Sequence, residues 1–99
     1  MSGNSNPPPV LAYDLDRYFV RTDDAVEVAL GRLRPTRRRP EGVQNARKLM
    51  ALAYDGEHER RAPLSVVADG DGYRILDGNS TYAVAVESGW PALLCRIVA

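Results

Sequence analysis

Two glycine turns fence one short strand, and this arrangement restricts the chain more than any other feature. Asp69-Gly70-Asp71-Gly72 precedes Tyr73-Arg74-Ile75-Leu76, and Asp77-Gly78-Asn79 follows it. Asp-Gly suits the positive φ angles of a two-residue hairpin loop. The first turn therefore predicts a hairpin that joins Pro63-Leu64-Ser65-Val66-Val67-Ala68 to Tyr73-Arg74-Ile75-Leu76. Pro63 stands at the strand entry, where a missing N–H costs least. Beyond the second turn the pattern changes. Asn79, Ser80 and Thr81 are helix-capping residue types, Tyr82 to Val86 is almost wholly apolar, and Gly89 is a natural stop. A strand that feeds a helix through a glycine turn leaves several N–H groups unpaired and pointing one way, which suits a phosphate or another anion. A well-capped helix without a ligand fits the same residues.

The rest of the chain supplies partners for this unit. Val26-Glu27-Val28-Ala29-Leu30 alternates like a strand and stops at Gly31, with Leu33 packing inward. Glu41 to Asp55 predicts an amphipathic helix: Val43, Ala46, Leu49, Met50, Ala53 and Tyr54 fall on one face, and Gly56 caps the end. Trp90-Pro91 connects to a closing strand, Leu93 to Val98. In Val10 to Val20, Leu11, Leu15, Tyr18 and Phe19 have helical spacing, which predicts a short helical or irregular piece and then a strand edge. Met1 to Pro9 is polar and proline-rich and predicts a disordered lead, leaving 10–99 as one domain. The expected class is α+β, a small mixed β-sheet with two main helices. The last strand–helix–strand unit would cross over right-handedly if its strands are parallel.

Charge narrows the function classes. Lys plus Arg and Asp plus Glu number 13 each, so no net charge favours nucleic acid or an anionic membrane. No apolar run is long enough to span a bilayer, and no signal pattern opens the chain. A single cysteine excludes an internal disulfide and fits a cytoplasmic setting. The positive charge is local: Arg32, Arg34, Arg37, Arg38 and Arg39 crowd a loop bracketed by Pro35 and Pro40. Such a run is either a solvated loop or an anion site. His58 lies alone on the charged Glu57 to Arg61 loop and reads as a surface histidine, with no metal site indicated. Cys95 reads as a small buried hydrophobe. Asp77 either ties up turn N–H groups or acts as a base.

Three stretches together resemble the ParB/sulfiredoxin-like superfamily. They are Val28 to Thr36, then Leu49 to Gly56 with Arg61 to Val67, and finally Tyr73 to Thr81 with Gly89-Trp90-Pro91 and the closing strand. The resemblance covers about three quarters of the chain and implies that the Gly78 turn and the helix after it occupy the ligand position. ParB proteins bind CTP there through Gly-Glu-Arg-Arg, sulfiredoxins carry Gly-Cys-His-Arg, and free-serine kinases a Gly-His-His-Arg type turn. Here the matching residues are Gly78, Asn79, Ser80 and Thr81. The cysteine is missing, so sulfiredoxin chemistry is excluded. Both arginines are missing too, which removes the strongest charge-assisted contacts to a triphosphate.

The leading expectation is a stand-alone ParB-like domain that binds a nucleotide or other phosphorylated ligand. Gly78, Asn79, Ser80 and Thr81 would form the cradle, with Arg34, Arg37, Arg38 and Arg39 as the electrostatic arm. The cofactor class implied is a nucleotide with Mg²⁺. One alternative is a phosphotransferase or nuclease using Asp77. Another is a DNA-associated regulatory or interaction protein with a vestigial pocket. With no helix-turn-helix of its own in this sequence, DNA reading would need a protein partner. No membrane partner is expected.

Overall fold

The computed structural model describes residues 10–37 and 40–98. The predicted lead, together with Arg38 and Arg39, lies outside them. The elements in order are α1 (Leu15–Tyr18), β1 (Ala25–Ala29), a 3₁₀ turn (Leu30–Arg32), β2 (Leu33–Arg34), α2 (Pro40–Tyr54), β3 (Leu64–Asp69), β4 (Gly72–Asp77), α3 (Asn79–Glu87) and β5 (Ala92–Val98). The five strands form one mixed sheet in the order β1-β5-β3-β4-β2. β1 pairs antiparallel with β5, β3 antiparallel with β4, and β3 parallel with β5. This is an α+β fold with two main helices.

The Asp-Gly hairpin forms as its residues dictate, with Gly70 at φ +64°. It pairs Ser65 with Asp77 and Ala68 with Tyr73, with an irregularity between Ser65 and Val66. The start of β3 therefore lies beside the end of β4, and with it everything just before β3. β4 and β5 run in opposite directions, so the crossover condition does not apply to that pair. α3 carries the chain from β4 past β3 to β5.

α2 buries Val43, Ala46, Met50 and Ala53 from its apolar stripe. Its end is closed as a glycine-capped helix should be: Gly56 has φ +79°, and the Glu57 N–H donates to Leu52 O at 2.8 Å. The Arg17 guanidinium adds a second closure, donating through Nε to Tyr54 O at 3.0 Å and lying 4.0 Å from the Tyr54 ring centre. α3 buries Thr81, Ala83, Val84 and Ala85. Arg47 of α2 and Glu87 of α3 form an ion pair across the two helices. Beneath them Met50, Val66, Ile75, Val84, Leu93 and Leu94 are fully buried. Each such side chain contributes about 1.5–3 kcal/mol of hydrophobic stabilisation. Cys95 joins this core, and burial pushes its thiol pKa up to about 12.

The segment before β1 is strapped across this core. Trp90 Nε1 donates to Leu11 O at 2.8 Å, the Leu11 N–H donates to Ser88 Oγ at 3.2 Å, and the Tyr18 hydroxyl donates to Ala12 O at 2.6 Å. A one-residue bridge then holds Phe19 beside Arg61. The Arg61 N–H donates to Tyr18 O at 2.7 Å, and the Val20 N–H donates to Arg61 O at 2.8 Å.

Two local expectations need correction. Arg34 was expected in the proline-bracketed loop, but Leu33 and Arg34 pair in parallel with Tyr73 and Arg74 as a two-residue strand. The α3 cap also differs. The N-cap residue is Gly78 at φ +113°, ψ +17°, and no side chain caps the helix. Asn79, Ser80 and Thr81 are instead its first turn.

Candidate ligand groove at the Gly78 turn

Gly78 is required at this corner on two counts. Its φ lies in the left-handed region that favours glycine. A Cβ built there would also overlap the Leu64 side chain at the start of β3. The close approach of these two backbones lets the chain leave β4 and enter α3 within one residue. Tyr82 N–H makes the first helical bond, to Gly78 O at 3.0 Å. The N–H groups of Asn79, Ser80 and Thr81 have no acceptor within the helix, and the positive end of the helix dipole adds to them.

Two cavities of about 300 Å³ each flank this corner. The first is lined by Arg37, Gly42, Leu76, Asn79 and Ser80, and the second by the His58 to Leu64 segment. Both are lined by Arg61, Asp77, Gly78 and Thr81, so they are the two lobes of one groove. Thr81 decides how the groove is read. Its residue is only 2% exposed, it lines both lobes, and its hydroxyl makes no hydrogen bond among the described residues. Thr81 thus meets the surface only at the groove, where its hydroxyl is available to a ligand.

The Asn79 side chain also has a structural task. Its Oδ1 accepts the Thr36 N–H at 2.8 Å and the Arg37 N–H at 3.4 Å, and its Nδ2 donates to Thr36 Oγ1 at 3.0 Å. The Thr36 hydroxyl in turn donates to Ile75 O at 2.9 Å. The carboxamide thus clamps the Thr36–Arg37 loop to the turn and brings Arg37 to the first lobe.

The predicted electrostatic arm divides. Arg37 lines the groove. Arg34 does not: it donates to Asp69 O at 2.6 Å and to Asp71 Oδ1 at 2.8 Å, at the hairpin end of the sheet. Arg32 is held there as well, donating to Asp71 O at 3.0 Å. His58 is exposed, as a surface histidine should be, and edges the second lobe. Arg61 was given no site role, yet it lines both lobes. It is half-buried, and burial lowers its pKa from the guanidinium norm while the charge of Asp77 acts in the opposite sense. The signal for Arg61 was present in the hairpin. Ser65 pairs with Asp77, and four residues outward on each side stand Arg61 and Thr81.

No group of His, Cys, Asp or Glu side chains among the described residues is fit to hold a metal ion. Asp77 is the single carboxylate on the first lobe. Mg²⁺ would therefore have to enter with phosphate oxygens rather than in a protein cage, as this ion commonly does. No helix among the described residues is long and apolar enough to cross a membrane.

No protein-family model and no curated protein matches the chain. Solved structures do. Sulfiredoxin from Arabidopsis thaliana superposes with a TM-score of 0.55 at 19% identity, covering 75% of this chain and 83% of that one. The fold is ParB/sulfiredoxin-like. A free serine kinase in complex with AMP gives a TM-score of 0.62 at 18% identity over 91% of this chain. A conserved hypothetical protein from Pyrococcus furiosus gives 0.62 at 17% identity over 80%. The present chain spans about a third of the length of these last two, 36% and 34%. At such identities the likeness establishes the fold and leaves function to the site.

Proposed function

We propose that this chain binds a nucleotide or other phosphorylated small molecule, with its phosphate on the N-terminus of α3 at Gly78. The observation that carries this reading is Thr81, whose hydroxyl makes no hydrogen bond among the described residues and which lines both lobes beside the free N–H groups of the α3 first turn. Arg37 and the volume of the groove support it. Solved structures of the same fold include a free serine kinase with AMP and one with ADP. Binding would satisfy the N–H groups and the hydroxyl together, and Ser80 adds a second hydroxyl on the first lobe.

Isothermal titration with AMP, ADP, ATP and CTP, each with Mg²⁺, tests the proposal. Saturable binding at micromolar to millimolar concentration is expected. Absence of heat at millimolar ligand for all four would overturn it.

Asp77 supports a second reading, in which a phosphoryl group is transferred. It lies on the lining shared by the two lobes, where a base could face an acceptor hydroxyl in one lobe and a phosphate in the other. An Asp77→Asn variant that binds nucleotide but loses transfer to a hydroxyl acceptor is the expected result. Unchanged turnover in that variant removes Asp77 from the chemistry. The DNA-contact reading is less well supported, because Arg32 and Arg34 are engaged by the hairpin.

A further inference from the structure

We propose that Arg61 is the principal anion anchor of the groove, supplying from the entry to β3 the cation that the first turn of α3 lacks. This inference rests on the phosphate reading above and adds to it a specific residue. α3 begins Asn79-Ser80-Thr81, with no charged side chain in its first turn. A phosphate held only by N–H groups and hydroxyls keeps most of its charge uncompensated, and a guanidinium corrects that with two parallel bonds.

The position of Arg61 fits the role. It is one of the four residues common to both lobes, the others being Asp77, Gly78 and Thr81. Its backbone is held on both sides, by Tyr18 O at 2.7 Å and Val20 N–H at 2.8 Å, so its side chain starts from a fixed point. A pre-placed cation loses less freedom on binding than a mobile one.

Its neighbours do not use it. Arg34 is held by Asp69 and Asp71, Arg32 by Asp71 O, and Arg60 by Asp16 O at 3.0 Å. The Arg61 guanidinium donates to no oxygen among the described residues, and Asp77 acts on it only through its charge at longer range. A half-buried guanidinium without a bonded carboxylate has lost hydration and gained little in return. A phosphate at the α3 N-terminus would provide the missing partner, and Arg37 would meet it from the other bank of the first lobe.

The test is titration of ADP and of inorganic pyrophosphate into wild type, Arg61→Ala, Arg61→Lys and Arg74→Ala. Arg74 is an exposed arginine on β4 that lines neither lobe. We expect Arg61→Ala to weaken both probes by roughly ten- to a hundredfold, the scale of a charge-assisted hydrogen bond. Arg61→Lys should recover part of that loss, because it restores charge without the fork. Arg74→Ala should stay within about twofold of wild type. Loss of affinity with added NaCl should be shallower in Arg61→Ala than in wild type, a change that a merely structural role would not produce. Wild-type binding with an Arg61→Ala affinity within about twofold overturns the role of Arg61 and leaves the phosphate reading intact. No binding of either probe to wild type overturns both. If Arg61→Ala unfolds below the assay temperature, Arg61→Lys decides: an affinity within about twofold of wild type rejects the guanidinium, and a loss of about fivefold or more supports it.

Discussion

Arg34 and Arg37 are three residues apart in the same basic stretch, but the fold gives them opposite surroundings. Arg34 belongs to β2, beside Arg74 of β4, and is drawn to the far end of the hairpin. There Asp69 and Asp71 accept its donors at 2.6 and 2.8 Å. Arg37 lies past Pro35, where the chain has turned, and the Asn79 carboxamide holds its N–H at the opposite end of the same strand. A charge run read as one arm is therefore two devices, one neutralised at each contact and one lining the groove. The lesson is that residues on one strand edge can serve opposite ends of a sheet, and counting charges along the chain does not reveal this.

The strongest way to break the contrast is to remove the corner that creates the groove. Gly78→Ala forces a side chain into positive φ and into Leu64 together. Strain and overlap each cost about 1–3 kcal/mol. We expect a loss of about 3 kcal/mol or more in urea unfolding, with nucleotide binding abolished. Stability within about 0.5 kcal/mol of wild type would contradict the packing described for this turn.

Asn79→Ala should blur the contrast without destroying it. The clamp on Thr36 and Arg37 is lost, at about 1 kcal/mol. Amide exchange at Thr36 and Arg37 should accelerate, and ADP affinity should fall several-fold. Unchanged exchange at those two amides would show that the carboxamide does not hold the loop.

The paired variants Arg37→Ala and Arg34→Ala sharpen the contrast with the smallest effects on stability. Arg37→Ala should lower ADP affinity by about tenfold with little change in unfolding midpoint. Arg34→Ala should leave affinity unchanged. Its ion pair with Asp71 is largely exposed, so the loss in stability should stay below about 1 kcal/mol. A reversed pattern, with Arg34 governing affinity, would show that the hairpin end is the functional one.

Much of the architecture could be read from the residues, because strong local signals agreed with the tertiary outcome. Asp69-Gly70 set the hairpin, the spacing of Val43, Ala46, Met50 and Ala53 set α2, and Gly78 marked the corner into α3. β2 could not be read: two residues beside a proline carry no period, and β4 alone defines them. The first turn of α3 was misread for a related reason. Asn79 has the chemistry of a cap, but its amide finds Thr36 and Arg37 across the fold. Arg61 looked like one more charge on a polar loop. Its place follows only when the hairpin is folded and its two flanks are followed outward together.

The strand order has a consequence for how the protein is made. β5 is the last of the five strands to be synthesised, yet it sits between β1 and β3 and carries Leu93, Leu94 and Cys95 at full burial. During translation β1 therefore emerges with its partner still unmade, and its edge must wait for about sixty-five further residues to leave the ribosome. β3, β4 and α3 have no such delay, because the hairpin closes locally. The groove corner can thus take shape on the nascent chain before the sheet beneath it is complete, and the arrival of β5 locks the two halves into one cooperative unit.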